Sequence, residues 1–505
     1  MSVIQEIKFL FLGILIWIPL ATTIFPMYLL FYILRHVVHK LTRIFQPDLI
    51  PIGKTDSVMA FGPSNTESSN MYTTQVWKVK GKIDVEEFRN HFYHCFLATE
   101  EDRKKYVNLY CYFVEYLGYV FKRRVNSIDL KFHIRELKLP EGKSVEDFVG
   151  GWMVDHHIID NERGIERPSW EIKVIPDAPY NQDDPGNLCE GRTTIVFKLH
   201  HGICDGYTIV HLAGKLAGQQ APYLFKEPEP KFYHKMKYIL QMPYFTLERW
   251  VEMYRNRAQS FVTEYEGKEN WLISFCTLDL ETVKQIRRVT RTNFVSVLMS
   301  IQMGALKKLL REIKPETTDN IGNTYMGHSM GWPDHPVPQS GGGMTNHLTF
   351  NMIKTLFKID DPLERLLDVD KNFRDTKAKG YPYIFHCIMF NMFKNQPGWF
   401  SRLLANGDFS ITRMETGLSS LLCSSKQHYL LGHVVENLYL PVVLPSLFPK
   451  TRMMTVPVSH SGILDISINA STALVKDQAS LDRLTQTYFL QELEALRQRC
   501  QVLFE

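Results

Sequence analysis

Strand-like and helix-like runs alternate through both halves of this 505-residue chain, which predicts an α/β architecture behind an N-terminal membrane helix. Three observations carry that expectation. Phe9 to Leu34 holds no charged residue over 26 positions. In the first half, the alternating run Thr194-Ile195-Val196-Phe197-Lys198-Leu199 leads through a short polar motif into a helix-like stretch, Tyr207 to Ala217. In the second half the pattern repeats, with Ser274 to Leu280 strand-like and Leu298 to Leu310 apolar at three- and four-residue spacing.

The N-terminal run, as one helix, would reach ~39 Å, enough to cross a bilayer with tilt. It is too long for a signal-peptide core, and Glu6 interrupts the usual basic lead. Arg35, His36, His39, Lys40 and Arg43 follow it, against Lys8 alone at its start, so the positive-inside tendency places the body in the cytosol, most simply at the endoplasmic reticulum or else the plasma membrane. Pro19 and Pro26 each remove a backbone donor and leave open a bent segment that re-emerges on the same side. The expected division is therefore an anchor at 1–45, a first domain at 46–230, a connector at 231–270 and a second domain at 271–505.

Beyond the short linker after Gln46-Pro47, Met71 to Val79 alternates like a strand and ends at a turn near Gly81. Asp84 is placed to cap the next helix, whose Val85, Phe88, Phe92 and Phe96 share one face and read as core. Asn181 to Gly186 is a polar loop, and Glu227-Pro228-Glu229-Pro230 breaks the chain after the first domain. Lys235 to Arg257 mixes aromatic and basic residues and suits either an interfacial helix or a connector packed on protein. Tyr381 to Phe400, rich in aromatics and Met, reads as core or as the wall of an acyl tunnel. Ile463 to Ala470 alternates as a strand, and Leu481 to Phe504 closes the chain as an amphipathic helix.

The most informative residues are His200-His201-Gly202-Ile203-Cys204-Asp205-Gly206. Four fixed positions at ~1/20 each over about five hundred starts match by chance at roughly 0.003, so the pattern is specific. An imidazole titrates near neutrality and suits moving a proton off a hydroxyl. Cys204 has no marked base beyond the neighbouring histidines, so direct transfer through His201 is simpler than a covalent route. Asp205, at the start of the following helix, is placed to cap it, to organise the loop and so to hold the imidazole. Gly206 is expected to allow a backbone conformation that a β-carbon resists, and His200 completes the motif.

The motif resembles the signature of the acyl-coenzyme A-dependent acyltransferase superfamily, and other stretches narrow the resemblance to the wax ester synthase/diacylglycerol acyltransferase family. Arg167-Pro168-Ser169-Trp170-Glu171 resembles its Arg-Pro-Leu-Trp-Glu, and Asp361-Pro362-Leu363-Glu364-Arg365-Leu366 its Asp-Pro-x-x-Arg-Leu. Ser461-Gly462-Ile463-Leu464-Asp465-Ile466, with Asp477, is similar to its C-terminal block. The departures are that Asn437-Leu438-Tyr439-Leu440-Pro441 stands nearest to Asn-Val-Pro-Gly-Pro, that the Gly-Asn pair appears as Thr345-Asn346, and that the upstream arginine is missing near His328 to Trp332.

The resemblance implies two chloramphenicol-acetyltransferase-like domains with His201 in a tunnel at their junction. It implies acyl-coenzyme A as co-substrate, with no permanently bound cofactor. The anchor adds that a membrane-tethered enzyme collects fatty alcohol or diacylglycerol from the lipid bilayer, giving wax ester or triacylglycerol. Two alternatives stand beside this one. A non-catalytic acyl-coenzyme A or lipid binder would keep the motif as structure, and an amide-forming condensation enzyme would expect carrier modules that this length does not hold.

A formal charge of +4 without a basic stripe gives no indication of nucleic-acid binding. The eight cysteines are scattered with no Cys-x-x-Cys pair, as suits reduced thiols facing the cytosol. Asp155-His156-His157-Ile158-Ile159-Asp160 has the density of a metal site but lacks a matching context, and no metal is expected.

Overall fold

The apolar N-terminal run forms a single 43-residue helix, α1 (Val3–Phe45), that continues through Pro19 and Pro26. It is long and apolar enough to cross a membrane. The computed structural model describes residues 3–53, 56, 59–60, 71–155, 167–177, 191–219, 229–255, 270–318, 321–339, 343–400, 414–423, 425–443 and 451–501. The loop at 181–186, the break at 227–228 and residues 156–160 of the His-Asp-rich stretch lie outside them.

After α1 the first half supplies β1 (Leu49–Pro51), β2 (Tyr72–Lys80), α2 (Val85–Phe96), β3 (Cys111–Tyr116), β4 (Tyr119–Arg124), β5 (Ile134–Glu136), α3 (Val145–Asp155), β6 (Trp170–Pro176), β7 (Arg192–His200) and α4 (Gly206–Leu216). A long helix, α5 (Phe232–Arg255), leads to the second half. There follow β8 (Trp271–Asp279), α6 (Phe294–Ile313), β9 (Asn323–Gly331), β10 (Leu348–Leu356), α7 (Pro362–Ala378), α8 (Tyr381–His386), β11 (Thr416–Leu418) and β12 (Leu421–Leu422). The chain closes with β13 (Tyr429–Leu430), β14 (His433–Tyr439), β15 (Val442–Val443), β16 (Met453–His460), β17 (Ile463–Ser471) and α9 (Phe489–Gln501).

The strands make two large mixed sheets. The first runs β13-β14-β2-β7-β6-β5, and the second β10-β9-β11-β16-β17-β8, while β1, β4 and β3 form a small third sheet. β2 pairs with β7 from Tyr72 opposite His200 to Lys80 opposite Arg192, which sets His200 at a strand end beside the first sheet's centre. On its other side β2 pairs with β14 and β15, so residues 429–443 of the second half complete a sheet begun by the first.

Asp465 pins that crossing. Its carboxylate accepts from Leu438 N at 2.7 Å, Asn437 Nδ2 at 3.0 Å, Thr277 Oγ1 at 2.6 Å and the His460 ring at 2.6 Å. Asp465 and His460 are both fully buried, where charge and donors must match or cost several kcal/mol. A second buried pair, Arg365 with Glu492, ties α7 to α9.

Asp84 caps α2 by accepting from Glu86 N and Glu87 N, and Phe88, Phe92 and Phe96 are buried against Trp170 and Phe197, as the spacing predicts. The aromatic segment after Tyr381 packs on α5, where Met242, Phe245, Tyr381 and Ile384 form one cluster with Phe9 and Trp17 of α1.

α1 is docked on the protein over two stretches, Glu6 to Trp17 and Tyr28 to Val38. Glu6 pairs with Lys237 at 2.7 Å, Phe9 stacks on Tyr244 and Trp17 Nε1 donates to Ile239 O at 2.9 Å. Gly13 lies so close to the α5 backbone at Leu240 that a β-carbon would collide with it. Farther along, Asn395 Nδ2 donates to Tyr28 at 3.0 Å, Phe31 packs on Phe400, Arg35 donates to Ile52 O at 3.2 Å and Val38 is buried with Leu49 and Phe121.

Candidate active site

The β7 strand delivers His200 and His201 to the seam between the two large sheets, and a short 3-10 turn follows before α4 begins. His201 N donates to Met71 O at 2.7 Å, which locks the motif to the start of β2. The imidazole of His201 lies against a cavity of about 90 Å³. Thr73 and Asp205 line it from the first sheet's side, Gly327, Ser329 and Phe350 from β9 and β10, and Gly417 and Leu418 from β11. The lining is mainly apolar, with the hydroxyls of Thr73, Ser329, Ser419 and Ser420 among it.

A chain of buried polar groups fixes the His201 ring. Lys122 Nζ donates to Asp56 Oδ2 at 3.0 Å, and Asp56 Oδ1 accepts from both Asn346 N and Asn346 Nδ2 at 2.9 Å. With its amide nitrogen turned to a carboxylate, Asn346 presents Oδ1 to His201 Nδ1 at 3.1 Å. An amide oxygen only accepts, so Nδ1 carries the proton and Nε2 is left as the acceptor. Burial pushes the His201 pKa below its usual 6.5, while Asp205, the residue's own carbonyl, Asn346 and Asp56 pull the other way. The ring is thus a neutral base near pH 7.

Asp205 acts through the loop it holds. Its Oδ1 accepts from Thr208 N at 2.9 Å, capping α4 as the sequence suggests. Its Oδ2 accepts from His347 N at 2.7 Å and from His335 Nε2 at 3.0 Å. Thr345 O in turn accepts from Asp205 N at 3.1 Å and from Thr208 Oγ1 at 2.9 Å. The carboxylate organises the Thr345–His347 strap, and the hydrogen bond to the imidazole comes from Asn346 on that strap. Burial works against the ionised carboxylate, but His335 and the Thr208 and His347 amides outweigh it and hold its pKa below the usual range.

His200 supports the turn: its Nδ1 accepts from Gly202 N at 3.0 Å, and its ring packs on Tyr72 and Phe113. Gly206 differs from expectation in its reason. It is not among the positive-φ glycines; a β-carbon there would press on the Leu421 side chain at 3.1 Å, so the constraint is space beside the cavity. Burial raises the Cys204 thiol pKa well above its ordinary value, with Asp205 and Asp56 adding to the effect, which leaves no thiolate for a covalent route.

Sequence reasoning singled out His201 and Asp205 but not Asp56, Lys122 or His335, which are remote in the chain and carry no motif. Thr345-Asn346 was visible only as an altered pair. A second apolar cavity, about 40 Å³, lies under α5 between Arg249, Trp250, Tyr381 and Ile384. Phe350 lines both cavities.

Residues 59–233 match the model of the wax ester synthase/diacylglycerol acyltransferase catalytic domain, and residues 344–496 that of the WS/DGAT C-terminal domain. No curated protein matches the chain by sequence. Among solved structures, a wax ester synthase/diacylglycerol acyltransferase from Marinobacter aquaeolei is similar at a TM-score of 0.56 and 15% identity, covering 89% of this chain and 99% of that one. A trichothecene 15-O-acetyltransferase from Fusarium sporotrichioides gives 0.58 and 10%, covering 89% and 94%. The starter condensation domain of rhizomide synthetase, solved in complex with C8-CoA, gives 0.52 and 9%, covering 91% and 97%. At these identities the likeness to solved structures speaks for the shared two-domain α/β fold.

Proposed function

From the premise that this chain belongs to the wax ester synthase/diacylglycerol acyltransferase family and is an acyltransferase, we propose that it transfers a long-chain acyl group from acyl-coenzyme A to a fatty alcohol or diacylglycerol. His201 is the general base. The observation that carries this reading is the buried His201, its Nδ1 held by Asn346 Oδ1, in the lining of a mainly apolar cavity between the sheets. Nε2 takes the hydroxyl proton as the acceptor oxygen bonds to the thioester carbonyl carbon. The tetrahedral intermediate then collapses, its carbon–sulfur bond breaks, and the imidazolium returns the proton to the departing coenzyme A thiolate. Serine hydroxyls in the cavity supply donors for the transient oxyanion, and the dry lining disfavours hydrolysis of the thioester.

An apolar acceptor is supported by the second, apolar cavity, which shares Phe350 with the first in its lining and lies under α5, next to α1. Attachment to a membrane through α1 rests on the length and apolarity of that helix, and the cytosolic side of the catalytic body on the basic residues Arg35, Lys40 and Arg43 that follow its apolar run. The endoplasmic reticulum is the site we favour.

Microsomes holding the chain, given labelled acyl-coenzyme A with fatty alcohol or diacylglycerol, are expected to form the corresponding ester. Binding of acyl-coenzyme A without ester from any acceptor would replace this reading with the non-catalytic one.

The pH profile tests the base separately. Because burial lowers the His201 pKa, the active neutral form persists below pH 6.5 and is lost only as pH falls through the lowered value. Measured from about pH 5 to 8, the acid limb of kcat/KM is expected to have its midpoint below 6.5. An acid limb at or above that value would remove His201 as the titrating base.

A further inference from the structure

α1 presents two opposed stripes. Glu6, Phe9, Gly13, Trp17, Tyr28, Phe31, Arg35 and Val38 face the protein in the contacts described above. On the other side Ile4, Ile7, Phe11, Ile14, Ile18, Phe25, Leu29 and Ile33 are exposed, Phe11 and Ile18 at 61% each and Phe25 at 60%. Their spacing of three, four or seven keeps them on one face over ~44 Å of helix. Exposed Lys40 and Arg43 continue the same face beyond Ile33. The one acidic residue of the helix, Glu6, faces inward on Lys237.

A helix that crosses a bilayer needs about 20 consecutive, mainly apolar residues within the hydrocarbon core. Here protein contacts at Trp17 and Tyr28 leave only about ten residues between them, ~15 Å of helix, half of a ~30 Å hydrocarbon core. Setting α1 upright would also drive Lys237 and the α5–α8 packing into lipid, where charged groups are costly. The composition reads as transmembrane because both stripes are apolar, and one of them is spent on protein.

We propose that α1 lies in the plane of the membrane as a monotopic platform, its Ile4-to-Ile33 stripe sunk into the outer acyl layer and Lys40 and Arg43 meeting anionic headgroups. The occupant of the exposed face is a lipid surface, favoured by an apolar stripe, broken at Thr22, that ends in basic and not acidic groups. The inference rests on the membrane attachment proposed above and adds its geometry: the N-terminus and the catalytic body share one side of the bilayer.

The full chain, with an epitope at each end, is to be placed in sealed microsomes and treated with protease. Both epitopes are expected to be lost without detergent. Fluorophores at positions 7, 18 and 29, quenched by lipids brominated at graded depths, are expected to report one shallow depth of about 5–10 Å. Protection of the N-terminal epitope until detergent is added overturns the proposal. So does a label at position 18 near the ~15 Å midplane with shallower labels on either side. A chain recovered in the supernatant overturns the membrane attachment itself, an outcome separate from either topology result.

Discussion

Replacing His201 with alanine is expected to lower kcat by roughly 10²–10⁴-fold, the usual contribution of a positioned general base. Among the described residues its neighbours in the motif do not replace it: burial raises the Cys204 thiol pKa, and His200 Nδ1 accepts from Gly202 N. The substrates meet mostly other residues, so KM is expected to change little, the signature of an interaction made mainly in the transition state. Ester formation by the purified variant, with its thermal midpoint measured alongside, checks this. Wild-type kcat in a folded His201→Ala chain would remove the assigned base.

The second large effect is expected at Asp56. In Asp56→Ala, the Lys122 ammonium keeps only Asn108 Oδ1, at 3.1 Å, as a described side-chain acceptor. Lys122 is 8% exposed at its side chain, and breaking a buried pair costs about 3–5 kcal/mol. The urea midpoint should fall accordingly. Activity falls for another reason, because Asn346 loses the carboxylate that turns its oxygen to the imidazole. Replacing Lys122 with Met as well separates the two. The double variant is expected to recover most of the stability, since no unpaired charge remains, while kcat stays at least tenfold down, ~1.4 kcal/mol. Recovery of both would make the Lys122–Asp56–Asn346 chain purely structural.

Much of this was legible in the residues, and what was not follows a pattern. Local patterning placed α2 and α4 through their aspartate caps and apolar faces, and β7 and β17 through runs rich in apolar residues, although both strands are buried almost throughout and do not alternate in burial. The stretches that resemble the family's other motifs prove to tie the framework together, one within each half and one across the seam. Ser169 O accepts from His200 N, Asp465 holds β14, and Arg365 joins Glu492. The partners of those residues were not legible, because Asp56 lies 290 positions from Asn346 and no spacing rule spans such a gap. The same limit hid the docking of α1, whose apolar composition is common to helices buried in lipid and helices buried in protein.

The crossing of β14 into the first sheet makes the order of synthesis matter. β2 emerges from the ribosome with β7 to pair on one edge, but its other edge waits for residues 433–443. About 350 residues separate them, which at about 5–20 residues per second is roughly 20–70 s of translation. During that interval a strand that is almost wholly buried in the finished fold shows unpaired amides and carbonyls to solvent. A nascent chain of this protein therefore depends on chaperone cover until its final quarter is made, and ribosome stalling before residue 433 would yield an aggregating fragment.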